Sequence, residues 1–325
     1  MSVNTLVKDG LLRKIKAETK IIKLDLDKGD VHYNPGLARD PEGKIYISIR
    51  SCITNYKEFN GVPHPLGYEN FLHVGILEES TLEIKGLKLV EPEAEYEGFQ
   101  WGIEDIRLFW REDGLHGIGV IIPLEGRNLK LRQAEILIDY EKGTYKLLKD
   151  WGRPFGHAEK NWSPTEHVNE NFDFVYSPTQ IVNKNGEVVG EDNDLFIHNG
   201  TPLIALPEGG YISIGHAVLA IFGERTYGQV ALKFDDMGGL IEHSQFFHFD
   251  VGWREQLQET IEFASGLLWS DGKVGEELLV GLGIKDELLG LCRLPMSQLK
   301  FEPYADTMWY AWKWEGQPNR VEISA

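Results

Sequence analysis

Glu104, Asp105 and Arg107 sit at the head of an apolar run, Trp101-Gly102-Ile103-Glu104-Asp105-Ile106-Arg107-Leu108-Phe109-Trp110. Read at a period of two, Asp105 and Arg107 share one face of a strand, and Glu104, Ile106 and Leu108 share the other. A carboxyl beside a guanidinium can bind a polyhydroxylated or phosphorylated ligand, and a carboxyl can pass a proton to or from a bridging oxygen. The same two groups can also satisfy each other as an ion pair at a strand end. What decides between these uses is whether distant stretches bring similar groups to the same place.

Several stretches carry such groups. In Ala158-Glu159-Lys160-Asn161-Trp162-Ser163-Pro164, Lys160 offers a point charge for phosphate, Asn161 a reader of hydroxyls and Trp162 a face for a sugar ring. Read blandly, the same stretch is a surface loop with a packed tryptophan. His198-Asn199-Gly200-Thr201-Pro202 and Gly215-His216-Ala217 add Thr201 and His216, although a histidine inside a strand is more often a hydrogen-bonded core residue. Asn34-Pro35-Gly36 reads as a turn, and Arg50 ends an apolar strand. Asp286 falls in a turn between two apolar strands, where capping competes with binding.

The elements that must position these groups are mostly strands. Residues 11–20 read as a short helix and 21–27 as a half-buried strand. Alternating runs then follow one another from 44–50 and 71–77 to 278–284 and 287–294, with 51–70 as a long polar loop. Asp113-Gly114, Asn185-Gly186, Gly209-Gly210 and Asp271-Gly272 mark turns between them. Many short strands at this spacing restrict the fold to a sandwich, a barrel or a propeller. Polar strand starts near Arg50, Asp105, Lys160, Thr201 and Gly266 recur at intervals of roughly 40–65 residues, close to the length of a propeller blade. The expectation is an all-β, five-bladed β-propeller filling residues 31–325, with residues 1–30 as a short helical and strand extension packed on it. Innermost strands of a propeller begin at one end of the central channel, so the polar starts would converge there.

Composition excludes other classes. A net charge of −18 and a pI near 5.0 leave no general basic surface for nucleic acid, while permitting a small basic pocket. Cys52 and Cys292 form neither a disulfide framework nor a zinc cluster, and each lies in an apolar run that suits a buried free thiol. The first twenty residues lack a signal-peptide core, and no apolar run reaches the roughly 18 residues of a membrane span, so a cytoplasmic protein is expected. There is no phosphate loop, dinucleotide fingerprint or HExxH, and Ser213 and Ser265 lack nucleophile-elbow spacing.

Taken together, Asn34-Pro35-Gly36, Arg50, Gly102 to Arg107, Glu159-Lys160-Asn161-Trp162, Gly200-Thr201-Pro202, His216 and Gly266…Leu279…Gly281-Leu282-Gly283…Asp286 resemble the β-mannoside phosphorylase family. That family includes related inverting hydrolases and β-1,2-mannosyltransferases. The similarity runs in order over about residues 34–300, with Glu-Asp-x-Arg and Lys-Asn-Trp its most specific parts. The resemblance implies a five-bladed propeller that transfers glycosyl groups with inversion. It implies Asp105 as general acid, Asn34 against the sugar, and Arg50, Lys160 and His216 at the sugar or phosphate site. The substrate-binding set then comprises Asn34, Arg50, Glu104, Arg107, Glu159, Lys160, Asn161, Trp162, Thr201, His216 and Asp286. No cofactor is implied beyond inorganic phosphate or a sugar phosphate as co-substrate. The chain departs from the family pattern at Ile106, where a proline is usual, and at Gly215, where a tyrosine commonly precedes the histidine. Neither departure removes a charge; the second bears on the phosphate site.

The chemistry is consistent with that picture. Phosphate as acceptor needs cations to bind it and no enzymatic base, and Arg50, Lys160 and His216 are the candidates. Water as acceptor needs a second carboxylate roughly 6.5–9.5 Å from the acid, and Glu159 is the candidate. Cations are more evident than a base, which favours a phosphorylase of β-mannosides. The alternatives are a transferase using a nucleotide-sugar or sugar-phosphate donor, with the loop 51–70 receiving the base; an inverting hydrolase; and a non-catalytic glycan-binding propeller. The expected partners are oligosaccharides or sugar phosphates, with no nucleic acid or membrane, and self-association is left open.

Overall fold

The computed structural model describes residues 13–54, 58–59, 62–63, 68–125, 128–129, 131–152, 160–190, 197–221, 224–249, 251 and 261–304. These residues are nearly all β, with a single 3-10 turn at Met296–Gln298. They begin with β1 (Arg13–Ile15) and β2 (Glu18–Ile22).

The chain then runs as successive antiparallel meanders. The first holds β3 (Val31–Arg39), β4 (Ile45–Thr54), a small hairpin of β5 (Glu58–Phe59) and β6 (Val62–Pro63), then β7 (Tyr68–Glu78) and β8 (Glu83–Pro92). The second holds β9 (Glu104–Arg111), β10 (Gly114–Ile121), a hairpin of β11 (Leu124–Glu125) and β12 (Asn128–Leu129), then β13 (Arg132–Asp139) and β14 (Thr144–Gly152). A short parallel contact of Thr144 with Glu91 and Tyr145 with Pro92 joins these two meanders into one sheet.

Next come β15 (Ser163–Pro164), β16 (Phe172–Ser177), β17 (Gln180–Asn183) and β18 (Val188–Gly190). The following sheet is built on the long pair β21 (Tyr211–Ile221) and β22 (Glu224–Phe234). β19 (Ile197–His198) and β20 (Ile204–Ala205) flank β21, while β23 (Leu240–Ser244) and β24 (Phe247–Phe249) flank β22. The last meander is β25 (Glu262–Trp269), β26 (Glu277–Ile284) and β27 (Leu288–Pro295), and β28 (Phe301–Pro303) returns to pair with β23.

The expected helix over 11–20 is not formed where that stretch is described. β2 instead adds antiparallel to β27 as the outer strand of the last meander, and β1 pairs in parallel with β24. The reason is nonlocal. β27 presents an open edge, and a segment with β-branched Thr19, Ile21 and Ile22 satisfies that edge better than it satisfies itself. The stretch 51–70 is likewise less of a loop than its polarity suggests, since β4 runs on to Thr54 and β7 begins at Tyr68.

Each meander buries one face against the next. Val74, Leu108 and Ile136 share a core between the first and second, and Phe109, Ile118, Trp162 and Phe174 share one between the second and third. Phe172, Val175, Val230 and Leu232 lie in the next interface, and Ile214, Ala231, Leu267 and Val280 in the one after. Leu37, Ile47 and Ile49 then pack with Leu279, Leu289 and Leu291, so the last meander rests against the first. The first strands of neighbouring meanders approach closely at glycine. A methyl group on Gly36 would collide with Ile106 O, and one on Gly266 would stand 2.7 Å from Pro35 O. These contacts hold β3 between β9 and β25, with the polar starts of β3 and β9 side by side. Cys52 and Cys292 are buried free thiols.

Candidate active site

The site is built from the backbone at the head of β9. Gly102 sits at φ 75 with Asn70 O against the place a side chain would occupy, so only glycine fits this approach to the strand. Asp105 is left-handed at φ 50, and the β9–β10 register skips across Gly119 at this point. The skip breaks the strict alternation. Glu104 and Asp105, expected on opposite faces, both reach the guanidinium of Arg50: Nη1 lies 2.8 Å from Asp105 Oδ1 and 3.5 Å from Glu104 Oε2.

Asn34, on β3, is left-handed at φ 48 and donates from Nδ2 to Asp105 Oδ1 at 2.7 Å. Asn161 is left-handed too, at φ 63, and its Oδ1 accepts from Arg107 Nη2 at 2.8 Å. Asparagine and aspartate tolerate this region better than other non-glycine residues, yet it costs free energy, and such residues cluster where a geometry is being enforced. Here Asp105 itself, Asn34 on its carboxylate and Asn161 on Arg107 all adopt it.

The two arginines have different tasks. Arg107 donates to Asp105 O, to Gly200 O at 2.8 Å and to Asn161, which uses three of its N–H groups on the protein and ties β9 to two neighbouring loops. Its guanidinium also lies 5.2 Å from the ring centre of Phe263. Arg50, 8% exposed, is directed at the two carboxylates. It sits within β4 opposite Tyr33, so it is not the strand start that its spacing suggested; Asn34 on β3 is nearer that role. Lys160, in the segment before β15, is 3.7 Å from Glu104 Oε2 with 41% of its side chain exposed. It is the cation of this group most open to solvent.

His216, on β21, is 3% exposed and packs its ring on Tyr227 at 5.0 Å and against the edge of Phe263 at 4.9 Å. Phe263 therefore stands between His216 and Arg107. Burial, with His198 and Arg107 nearby, lowers the His216 pKa well below 6.5, so the ring is neutral at pH 7 and offers a hydrogen bond rather than a charge. Burial alone would raise the Asp105 pKa. Arg50, Arg107, Lys160 and the Asn34 hydrogen bond outweigh it and hold the carboxyl well below the usual carboxylate range. Burial also works against the charge of Arg50, but Glu104 and Asp105 prevail and raise its pKa. Arg107 is brought down by burial to about 10 and stays charged.

Asn34, Arg50, Glu104, Asp105, Arg107, Lys160, Asn161 and His216 thus lie in one connected cluster. Three other candidates sit apart from it. Trp162 is 1% exposed among Trp151, Phe174 and Tyr176, in the core between two meanders, with no free face for a sugar. Thr201 is fully buried, and its Oγ1 joins Ile214 N and Pro202 O. Asp286 is exposed in the β26–β27 turn at φ 55. Glu159 lies outside the described residues. Sequence reasoning missed Asn70, Tyr33, Tyr227 and Phe263. The available signal was the strand pattern itself, which puts Tyr33 opposite Arg50 and Asn70 opposite Cys52. A separate groove of about 390 Å³, lined by Tyr46, Trp110, Asp113 and Lys146 among others, lies at the far ends of β9 and β10 and shares no residue with the cluster.

The chain shares its fold with a β-1,2-mannobiose phosphorylase. That structure, from Listeria innocua and solved with β-1,2-mannobiose, superposes with a TM-score of 0.56 at 13% identity, covering 86% of this chain and 91% of the other. A family 117 glycoside hydrolase from the marine bacterium Zobellia galactanivorans (14% identity, 90% and 75% covered) and an α-L-arabinofuranosidase from Lactobacillus brevis (11%, 83% and 75%) reach TM-scores of 0.35 and 0.34, too remote to carry an inference. No protein-family model and no curated protein matches the sequence. No helix among the described residues is long and apolar enough to cross a membrane.

Proposed function

We propose that this chain is an inverting, glycosyl-transferring enzyme on a five-bladed β-propeller, and that it exchanges a β-mannoside with phosphate. The observation that carries the reading is Asp105: a buried carboxylate gripped by Asn34 and Arg50, with a second carboxylate and two further cations beside it. The successive meanders, packed face to face with the last against the first, support the propeller. The fold shared with a mannobiose phosphorylase supports the substrate class.

In this reading Asp105 exchanges the proton of the bridging oxygen and Asn34 orients the sugar. Arg50, Lys160 and neutral His216 receive the phosphate, charge and hydrogen bonds together. Asp105 rests as an anion, so it is set to take a proton from an acceptor hydroxyl when a glycoside is made. In the cleavage direction an incoming phosphate dianion near Arg50 and Lys160 offsets their pull and raises the carboxyl's proton affinity. A hydrolase is less well served by the described residues. Glu104 and Asp105 have oxygens bound by one nitrogen at 2.8 and 3.5 Å, which cannot stand the roughly 6.5–9.5 Å apart that a base-activated water requires.

The test is product analysis. β-1,2-mannobiose with phosphate should yield mannose and a mannosyl phosphate, and the reverse reaction should run from mannose 1-phosphate but not from a nucleotide-mannose donor. Turnover in phosphate-free buffer, or from the nucleotide donor alone, would replace the phosphorylase reading with a hydrolase or a transferase.

A further inference from the structure

Arg50 bridges both carboxylates of the site through one nitrogen, Nη1. A guanidinium is planar, so fixing a second of its nitrogens fixes the direction of the whole fork. The second anchor is Asn70 on β7, whose Oδ1 accepts from Arg50 Nε at 2.7 Å. Asn70 is 3% exposed, and its amide is occupied on both ends. Oδ1 also accepts from the thiol of Cys52 at 3.0 Å, and Nδ2 donates to Trp101 O at 3.1 Å.

Its backbone reaches the same segment. Asn70 N donates to Trp101 O at 3.0 Å, and Asn70 O fills the space a side chain on Gly102 would need. One residue therefore holds Arg50 with its side chain and the approach to Glu104 and Asp105 with its main chain. Tyr33 completes the support, its ring centre 5.0 Å from the guanidinium carbon and its hydroxyl 3.3 Å from Cys52 Sγ.

We infer that Asn70 is a positioning residue: it sets the Arg50 fork and the head of β9 in register, so that Arg50 meets Asp105 and Glu104 in one orientation. Its effect on turnover rests on the proposed role of Asp105, whereas its effect on Arg50 does not. Asn70→Ala removes the acceptor for Nε.

The experiment therefore has a readout without substrate and one with it. In the unliganded full chain, carboxyl-carbon NMR with Asp105→Asn as the assignment control should show Asp105 staying ionised to low pH. In Asn70→Ala its titration should move up toward the ordinary carboxylate range. With β-1,2-mannobiose and phosphate, Asn70→Ala should lower kcat by about 10–100-fold with KM changed by less than about threefold. An Asp105 titration identical in wild type and Asn70→Ala overturns the inference, whatever the activity. If no variant at Asn70 folds, the Arg50 Nε–H resonance of the wild type decides: slow exchange with water is expected, and fast exchange overturns it. A wild type inactive on the mannoside, with the titration still shifting in Asn70→Ala, would sink the phosphorylase reading and leave the positioning role standing.

Discussion

Asn34 and Asp105 are both held in the left-handed region of backbone space and meet side chain to side chain at 2.7 Å, across a separation of 71 residues. Two strained residues joined by a charge-assisted hydrogen bond are poorly explained by stability alone, since each conformation costs free energy that the bond must offset. Their meeting fixes which lone pair of the carboxylate is used by the protein. Asp105 Oδ1 takes both Asn34 and Arg50.

Asp105→Asn tests that carboxylate. Turnover should fall by about 10³-fold or more, within or beyond the usual worth of a general acid or base, while far-UV circular dichroism stays near wild type. Activity within tenfold of wild type would remove Asp105 from the chemistry. Arg50→Ala should be the more damaging change for the fold, by roughly 3–5 kcal/mol, because it strands Glu104 and Asp105 as buried anions without their shared partner. Urea denaturation measures it.

Gly283 on β26 offers a test of Asn34 that leaves every charge in place. A methyl group there would collide with the Asn34 side-chain oxygen, so Gly283→Ala should push Asn34 off Asp105. Losing a hydrogen bond to a charged group corresponds to about 1.5–3 kcal/mol, which predicts a fall of roughly 10–100-fold in kcat/KM for the sugar. Wild-type kinetics in this variant would mean Asn34 has no such role.

The pH dependence of stability has a definite sign. The folded-state pKa of Asp105 lies below its ordinary value of 3.8, so its contribution is present above that value and is lost as pH falls through the depressed one. Wild-type stability should therefore decline below about pH 4 more steeply than that of Asp105→Asn. The difference in slope is at most one proton, about 1.4 kcal/mol per pH unit. Parallel curves for the two proteins would show that Asp105 is not held in its anionic form by the fold.

Lys160 is the exposed cation of the cluster, 3.7 Å from Glu104. Lys160→Ala should raise the KM for phosphate by about tenfold while the chain still folds, because Arg50 keeps Glu104 paired. A phosphate KM unchanged in that variant would place the anion elsewhere.

Much of this site was legible in the chain. The Glu-Asp-x-Arg head of β9, the Lys160-Asn161 pair, Asn34, Arg50 and His216 are each recognisable by residue type. Three of the left-handed positions fall on Asn34, Asp105 and Asn161, the residue types that bear that conformation most readily. What was not legible depended on contacts between distant strands. Asn70 lies at the edge of a polar stretch that reads as loop, and only its pairing opposite Cys52 reveals its place beside Arg50. Phe263 and Tyr227 are ordinary strand aromatics until the fold sets both against His216. Trp162 shows the converse. An indole beside a lysine and an asparagine suggests a sugar platform, but one residue after the left-handed Asn161 it turns into the core with Phe174 and Trp151. The segment at β1 and β2 was misread because helix and strand patterns are close over so short a length, and an open sheet edge decided it.

The most direct measurement is phosphorus and proton NMR of β-1,2-mannobiose incubated with inorganic phosphate and the protein, run beside Asp105→Asn. Inverting phosphorolysis at the Asp105 cluster predicts α-mannose 1-phosphate and mannose in equal amounts from the wild type and neither from the variant. Free mannose without a phosphate ester, a β-linked ester, or equal turnover by the variant would contradict it.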